Sequence, residues 1–409
     1  MFNSTRKCID MNSTEYKSHG IPDEFQPVDR EKKIIPACNR RDVLKAALLC
    51  GAGICVLGPH RIVTTLRGNT QDVKVEASFY EKLPNRKIKC QICPKECVID
   101  DRERGYCGVR ENSDGIYYTL VHSKPCSIAP DPIEKKPFFH FLPGTLAFST
   151  ATVGCNMDCK YCQNWQISQM RPEQSRNYYI TPEKMVELAI EYNCPSIAYT
   201  YSEPVIFYEY MLDIAKVGQK QGVRNVMISN GYILPKPMEE LLPYLDAVKI
   251  DLKAYTEKFY KEICDGELKP VLDAIKQIHK DGTWLEIVYL VVPTLNDSET
   301  ELRELSAWLF NEIGADVPVH FSRFHPQYKL KNLPSTPVKT LQMAADIASD
   351  TGMKFVYIGN VAGDKRESTY CPECGKILIH RVGYTIYQNN IKNGKCNACE
   401  TPIPGVWSK

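Results

Sequence analysis

Three cysteines, Cys155, Cys159 and Cys162, stand at C-x3-C-x2-C spacing inside the stretch Gly154-Cys155-Asn156-Met157-Asp158-Cys159-Lys160-Tyr161-Cys162-Gln163-Asn164-Trp165. They follow directly on an apolar run, Leu146 to Val153, that reads as a buried strand. A cubane iron–sulfur cluster takes four thiolates. A loop that offers three leaves one iron with an open position, and an open position at a metal marks chemistry rather than structure. A zinc knuckle would need a fourth ligand close by, and no His, Cys, Asp or Glu falls in the ten residues after Cys162. Thiolate softness and ligand number both favour an iron–sulfur cluster.

The remaining cysteines sharpen that reading. Eighteen are present in 409 residues, a length that suits two or three domains rather than a small disulfide scaffold. Eleven fall into three tight sets: Cys90, Cys93, Cys97 and Cys107; the C-x3-C-x2-C triplet; and Cys371, Cys374, Cys396 and Cys399. Such spacing favours metal over disulfides. The other seven, Cys264 among them, are scattered and read as packed or exposed thiols. Hydrophobic content of 43% and charged content of 24% are those of a soluble protein. A net charge of +2 gives no strong nucleic-acid signal.

Residues 1–39 are polar without sustained periodicity, and disorder is expected there. Asn39-Arg40-Arg41-Asp42 then precedes an uncharged stretch, Ala46 to Gly58, too short to span a bilayer as a helix. An arginine pair before such a segment resembles a twin-arginine export signal over 40–58, although the n-region is long and no A-x-A cleavage site follows. A linker is expected over 59–84. Cys90-Gln91-Ile92-Cys93-Pro94-Lys95-Glu96-Cys97 and Gly105-Tyr106-Cys107-Gly108 then define an N-terminal four-cysteine module over 85–142. Its four thiols suit zinc or a second iron–sulfur cluster, and the spacing does not separate the two.

From Leu146 short apolar runs alternate with helical segments. The runs lie at Ser196–Thr200, Asn225–Ser229, Ala247–Leu252, Trp284–Val292, Val317–Phe321 and Lys354–Ile358. Thr181-Pro182-Glu183 predicts an N-cap before an N1 proline, and Val205 to Gln221 predicts a helix ending at a left-handed Gly222. Ser298-Glu299-Thr300-Glu301 predicts a capping box for a helix through Leu309. Repeated βα units imply a parallel sheet whose ligands gather at the C-terminal strand ends, over a core domain of 143–365. After it, in 366–409, two C-x2-C knuckles separated by 21 residues read as a zinc ribbon.

With an aromatic, Tyr161, before its last cysteine, the C-x3-C-x2-C loop resembles the signature of radical S-adenosylmethionine (SAM) enzymes. The segments Tyr201-Ser202-Glu203-Pro204, Ser229-Asn230-Gly231-Tyr232, Asp251-Leu252-Lys253, Val292 to Ser298 and His320 to Pro326 resemble the pyruvate formate-lyase activating enzyme branch. The flanking C-x2-C-P-x2-C…G-x-C-G-V-R and Y-C-P-E-C-G motifs resemble the radical SAM member of the AmmeMemoRadiSam system. The resemblance runs from about residue 85 to the C-terminus. It implies an α/β fold with a partial, TIM-like (βα)6 barrel flanked by small Cys-rich metal-binding modules. It also implies a [4Fe–4S] cluster on Cys155, Cys159 and Cys162, with SAM as cofactor or co-substrate. In that family the open iron chelates SAM, and one electron releases a 5′-deoxyadenosyl radical that abstracts hydrogen from a protein or small-molecule substrate.

Under this resemblance Ser202, Glu203, Asn230, Lys253 and His325, all at strand ends, are the expected SAM contacts. Each has a plainer reading: Glu203 as a helix N-terminal carboxylate, Asn230-Gly231 as a turn, Lys253 as half of a surface ion pair. The expected partners are a low-potential electron donor of flavodoxin or ferredoxin type and a protein substrate. Activating enzymes of that branch install a glycyl radical on a partner protein, and two departures bear on such a substrate: the Gly-Gly-Glu pattern of the branch is Tyr201-Ser202-Glu203 here, and the extra cysteines precede the cluster loop. Two other classes stay open at this level, a non-catalytic iron–sulfur and zinc electron-transfer module and an RNA-modifying radical SAM enzyme. Location is also open. The chemistry suits the cytoplasm, whereas residues 40–58 suit export or membrane tethering.

Overall fold

A computed structural model describes residues 74–408; the polar extension, the twin-arginine-like segment and most of the expected linker lie outside the described residues. At the centre is an eight-stranded sheet in sequential order. Its strands are β1 (Ser127–Pro132), β2 (Leu146–Ala151), β3 (Ser196–Tyr199), β4 (Arg224–Ser229), β5 (Ala247–Asp251), β6 (Trp284–Val291), β7 (Val319–Arg323) and β8 (Val356–Gly359). Strands β2 to β8 run parallel, while β1 pairs antiparallel with β2, Ser127 opposite Ala151. Edge strands β1 and β8 do not pair with each other, so the sheet is an open, partial barrel.

Burial explains why these runs are strands. Every residue of β3 is buried, as are five of the six in β4, the pattern of a parallel sheet covered on both faces. The covering helices are α1 (Pro182–Glu191), α2 (Tyr208–Lys220), α3 (Pro235–Leu241), α4 (Leu268–Asp281), α5 (Glu299–Glu312) and α6 (Val338–Asp350), one in each crossover. Helix α4 buries Leu268, Val271, Ala274, Ile275 and Ile278, a stripe at helical spacing.

The caps at Thr181 and Gly222 follow the sequence, whereas helices α2 and α5 depart from it. Thr181 accepts from the Lys184 amide at 3.3 Å ahead of N1 Pro182, and Gly222 turns the chain after α2 with φ +73°. Helix α2 itself begins only at Tyr208, because Pro204–Phe207 forms a 3-10 turn first. Helix α5 continues past Leu309 to Glu312, and only half of its expected capping box exists: Ser298 accepts from the Glu301 amide at 3.3 Å. The Glu301 carboxylate turns away to accept from the Tyr255 amide (2.7 Å) and the Tyr289 hydroxyl (3.0 Å). A buried hydroxyl and a part-buried amide outcompete the amide of exposed Ser298.

Two smaller β-rich parts lie at opposite ends of the strands. Toward the C-terminal ends, Val75–Glu76, Ile116–Thr119 and Arg110–Ser113 form one antiparallel sheet, and Tyr80–Lys82, Ile88–Cys90 and Val98–Ile99 another. Their apolar residues Ile88, Ile92, Val109 and Tyr117 belong to the same buried cluster as the barrel core. At the other end, the strands Thr369–Tyr370, Ile377–Val382 and Thr385–Asn389 form a ribbon with a separate small core, where Leu378, Ile379 and Ile403 meet Phe139, Phe355 and Tyr357. Among the described residues no helix is long and apolar enough to cross a membrane.

Candidate active site and metal centres

The cysteine loop leaves the C-terminal end of β2. Its first residue has to be glycine: Gly154 has φ +101°, and a Cβ there would lie 2.7 Å from Val109 Cγ1 and 2.9 Å from the Cys107 carbonyl oxygen. The loop is held from two sides. The Asp158 and Lys160 amides donate to the carbonyls of Cys264 and Ile263, both at 2.9 Å. From the loop after β7, the Lys329 amide donates to the Lys160 carbonyl and its ammonium pairs with Asp158 at 2.6 Å. Tyr328 stacks on Trp165 at 5.2 Å.

Cys155, Cys159 and Cys162 are free thiols, each half-buried. Burial pushes the Cys155 and Cys162 thiols up, so ionising them calls for a compensating cation. Iron supplies that charge, and the set of three soft donors fits a [4Fe–4S] cluster. A fourth thiol, Cys264, read from the sequence as one of the packed or exposed thiols, lies beside the triplet. Cys264 closes the π-helical turn Tyr260–Cys264, is fully buried, neighbours Cys159, and lies 3.5 Å from the Tyr161 hydroxyl. It is 102 residues from Cys162 with no motif around it, so spacing gave no signal.

Next to the triplet, the structure brings Ser202, Glu203 and Asn230 together. The Glu203 carboxylate is buried and accepts from Ser229 Oγ (2.7 Å), the Asn230 amide (2.9 Å) and the Val205 amide (3.1 Å). The last bond makes it the N-cap of the 3-10 turn, so the plainer reading holds as well. Burial pushes its pKa up to about 7, the three donors notwithstanding. Asn230 Nδ2 donates to Asn156 Oδ1 at 2.9 Å and lies 4.0 Å from Cys155 Sγ. Ser202 Oγ donates to the Thr152 carbonyl at 2.6 Å, stitching β2 to β3 just below the loop.

Tyr201 has φ +66°, a region that glycine enters freely and tyrosine at a cost of about 1–2 kcal/mol. The Tyr201 hydroxyl is anchored on Asp131.

Lys253 and His325 stand differently. Lys253 pairs with Asp251 at 3.3 Å, and Asp251 also takes a bond from the buried Lys249. Burial works against the Lys253 charge, but Asp251 and the neighbouring thiols outweigh it and hold the pKa above the usual lysine range. His325 is exposed, its Nδ1 3.2 Å from Ser335 Oγ, at the start of the loop that carries Tyr328 and Lys329. It lies at the rim, whereas the other four lie deeper. His320, five residues earlier, is buried 2.8 Å from Glu286 Oε2, in the network that receives the C-terminal ribbon.

The two four-cysteine sets differ. In the C-terminal set, the Sγ atoms of Cys371, Cys374, Cys396 and Cys399 all lie within 4.8 Å of one another, with Cys371–Cys399 at 3.5 Å and Cys374–Cys396 at 3.8 Å. A tetrahedral zinc with 2.3 Å bonds needs sulfur pairs at about 3.8 Å, so the donors fit. Hydrogen bonding to Thr401 lowers the Cys399 thiol to about 6. In the N-terminal set, Cys90, Cys93, Cys97 and Cys107 instead line a shared pocket.

The family model described as the radical SAM superfamily matches residues 149–305. An uncharacterized protein of Methanocaldococcus jannaschii is 47% identical over 330 residues, covering 80% of this chain and 98% of the relative. The pyruvate formate-lyase-activating enzyme of Clostridium pasteurianum is 24% identical over 196 residues, covering 44% of this chain and 80% of that enzyme. Among solved structures, a domain of a pyruvate-formate lyase-activating enzyme from Bacteroides vulgatus has 17% identity and a TM-score of 0.36, covering 40% of this chain and 98% of that one.

Proposed function

The chain belongs to the radical SAM superfamily, and we propose that it cleaves SAM reductively at the mouth of its open sheet and acts on a protein substrate, as an activating enzyme does. The observation that carries this reading is the juxtaposition at the end of β2: three free cysteines, with Asn230 bridging from Cys155 to the Glu203 site. When bound to the triplet, a [4Fe–4S] cluster with an open iron supplies the single electron that splits SAM into methionine and a 5′-deoxyadenosyl radical.

The chain's own residues bind and orient. Glu203, with three donors fixing its carboxylate, offers a negative partner to the SAM ammonium. Lys253, kept charged beside Asp251, pairs with the SAM carboxylate. Ser202 locks the β2–β3 junction through Thr152, and Asn230 spaces the carboxylate from the cysteine loop. His325 meets the ribose from the rim. An open sheet edge leaves room for a macromolecule, and activating-enzyme relatives add weight to a protein substrate. The electron comes from a flavodoxin- or ferredoxin-type donor. Zinc is the metal proposed for Cys371, Cys374, Cys396 and Cys399. The flanking cysteine motifs support membership in the AmmeMemoRadiSam system.

One observation favours a second reading. Cys264 lies against Cys159, and as a fourth ligand it would close the cluster and leave an electron carrier. Anaerobic reconstitution followed by dithionite and SAM separates the two. Release of 5′-deoxyadenosine and methionine supports the enzyme. An intact cluster without product, gaining activity in Cys264→Ser, supports the carrier.

A further inference from the structure

We propose that Cys90, Cys93, Cys97 and Cys107 hold a second iron–sulfur cluster rather than a zinc ion. Among the described residues the C-terminal tetrad alone brings three or more ligand atoms within 4.8 Å of one another. The N-terminal thiols are therefore too spread for a single zinc, which draws sulfurs to about 3.8 Å. A cluster carries its thiolates on separate irons and needs the wider spacing.

The four cysteines line one pocket, walled also by Arg110 and Asn156. Gly105 is part of the same wall, and a Cβ there would fall 2.9 Å from the Tyr117 hydroxyl and 3.8 Å from Cys97 Sγ. The Tyr106 amide already points at Cys97 Sγ, 3.4 Å away, as amides do toward cluster thiolates.

Arg110 is the second observation. It is 1% exposed, and its Nη2 pairs with Glu209 at 2.6 Å while its Nε donates to the Ile206 carbonyl at 3.3 Å. Nη1 has no hydrogen-bond partner although it is buried. An orphaned guanidinium nitrogen beside four thiols is costly unless an anionic group fills the pocket. A tetrathiolate cluster is such a group, with bridging sulfides as additional acceptors.

The site adjoins the barrel loop directly. The Cys107 carbonyl packs on Gly154, the residue before Cys155, and Asn156 lines the pocket from the loop itself. A cluster here is thus a near neighbour of whatever the triplet holds, and this inference stands whether or not that triplet cleaves SAM.

The test is metal analysis of the full chain after anaerobic reconstitution with iron, sulfide and zinc all present. In the Cys155→Ala/Cys159→Ala/Cys162→Ala variant, iron, labile sulfide and thiolate-to-iron absorption should persist, with about one zinc per chain. Adding Cys97→Ser to that background should remove or alter the iron signal. An iron-free triple variant with about two zinc per chain overturns the proposal, as does an iron signal indifferent to Cys97→Ser. Should the variants not fold, the wild type still decides: about one zinc per chain supports the cluster and about two refutes it.

Discussion

The two four-cysteine sets make an instructive pair. Both are knuckles of similar sequence, yet they sit at opposite ends of one sheet and are built differently. The N-terminal thiols are wrapped into the barrel core, open onto a pocket, and face an unsatisfied arginine nitrogen. The C-terminal thiols converge at bonding distance on a ribbon where Cys374 and Cys399 are exposed. That ribbon docks on the floor of the sheet through buried polar contacts. Arg381 Nη2 donates to the Phe139 carbonyl, His140 Nδ1 lies 2.7 Å from the Pro404 carbonyl, and the Tyr357 hydroxyl lies 2.9 Å from Thr369 Oγ1. A metal at the mouth can take part in chemistry, whereas one at the floor holds a fold together.

If that division is right, substitutions at the two ends should fail in different ways. The largest effect is expected at the mouth: Cys159→Ala should abolish SAM cleavage while circular dichroism of the purified protein stays unchanged. Residual 5′-deoxyadenosine at wild-type rate would erase the distinction.

Glu203→Gln should weaken SAM binding by about tenfold to a hundredfold, the worth of a charge-assisted bond. Its pH dependence sharpens the test. Because burial raises the Glu203 pKa to about 7, the ammonium-binding anion is lost as pH falls through 7. Wild-type affinity should therefore rise from pH 6 to 8 by titration calorimetry, and the glutamine variant should lack that rise. Folding carries the matching sign: a raised carboxylate pKa disfavours the folded state as pH climbs through 7, and bound SAM offsets this.

At the floor, Cys374→Ala should lower stability by several kcal/mol and reduce soluble yield, as expected if the four thiols share a structural metal. Turnover per intact cluster should change little, as judged by limited proteolysis beside the cleavage assay. The smallest effect is expected at the rim, where His325→Ala should raise the KM for SAM up to about fivefold, the scale of an exposed contact.

Much of this architecture is legible in the chain. The apolar runs fall on the seven parallel strands because fully buried strands leave no alternation to misread. Thr181 and Gly222 mark helix ends through local chemistry that tertiary packing does not override. Strand β1 is not legible: Pro130 and Pro132 speak against a strand, and only an edge position with an antiparallel partner accommodates them. The capping box is half right because Glu301 finds buried donors that its sequence neighbours do not reveal. At the site, motif positions predict which residues gather but not their depth, so Glu203 is buried and His325 is exposed. The partners of Cys264 and Arg110 are not legible for a common reason: each meets its neighbours through folding across about a hundred residues.

The most direct test of the central claim is electron–nuclear double resonance on the reduced, reconstituted protein with SAM labelled at its amino nitrogen and carboxylate oxygen. Hyperfine coupling of both labels to the iron centre, lost in Cys159→Ala, is the predicted result. A spectrum that does not change on adding SAM, with neither label coupled, would contradict it.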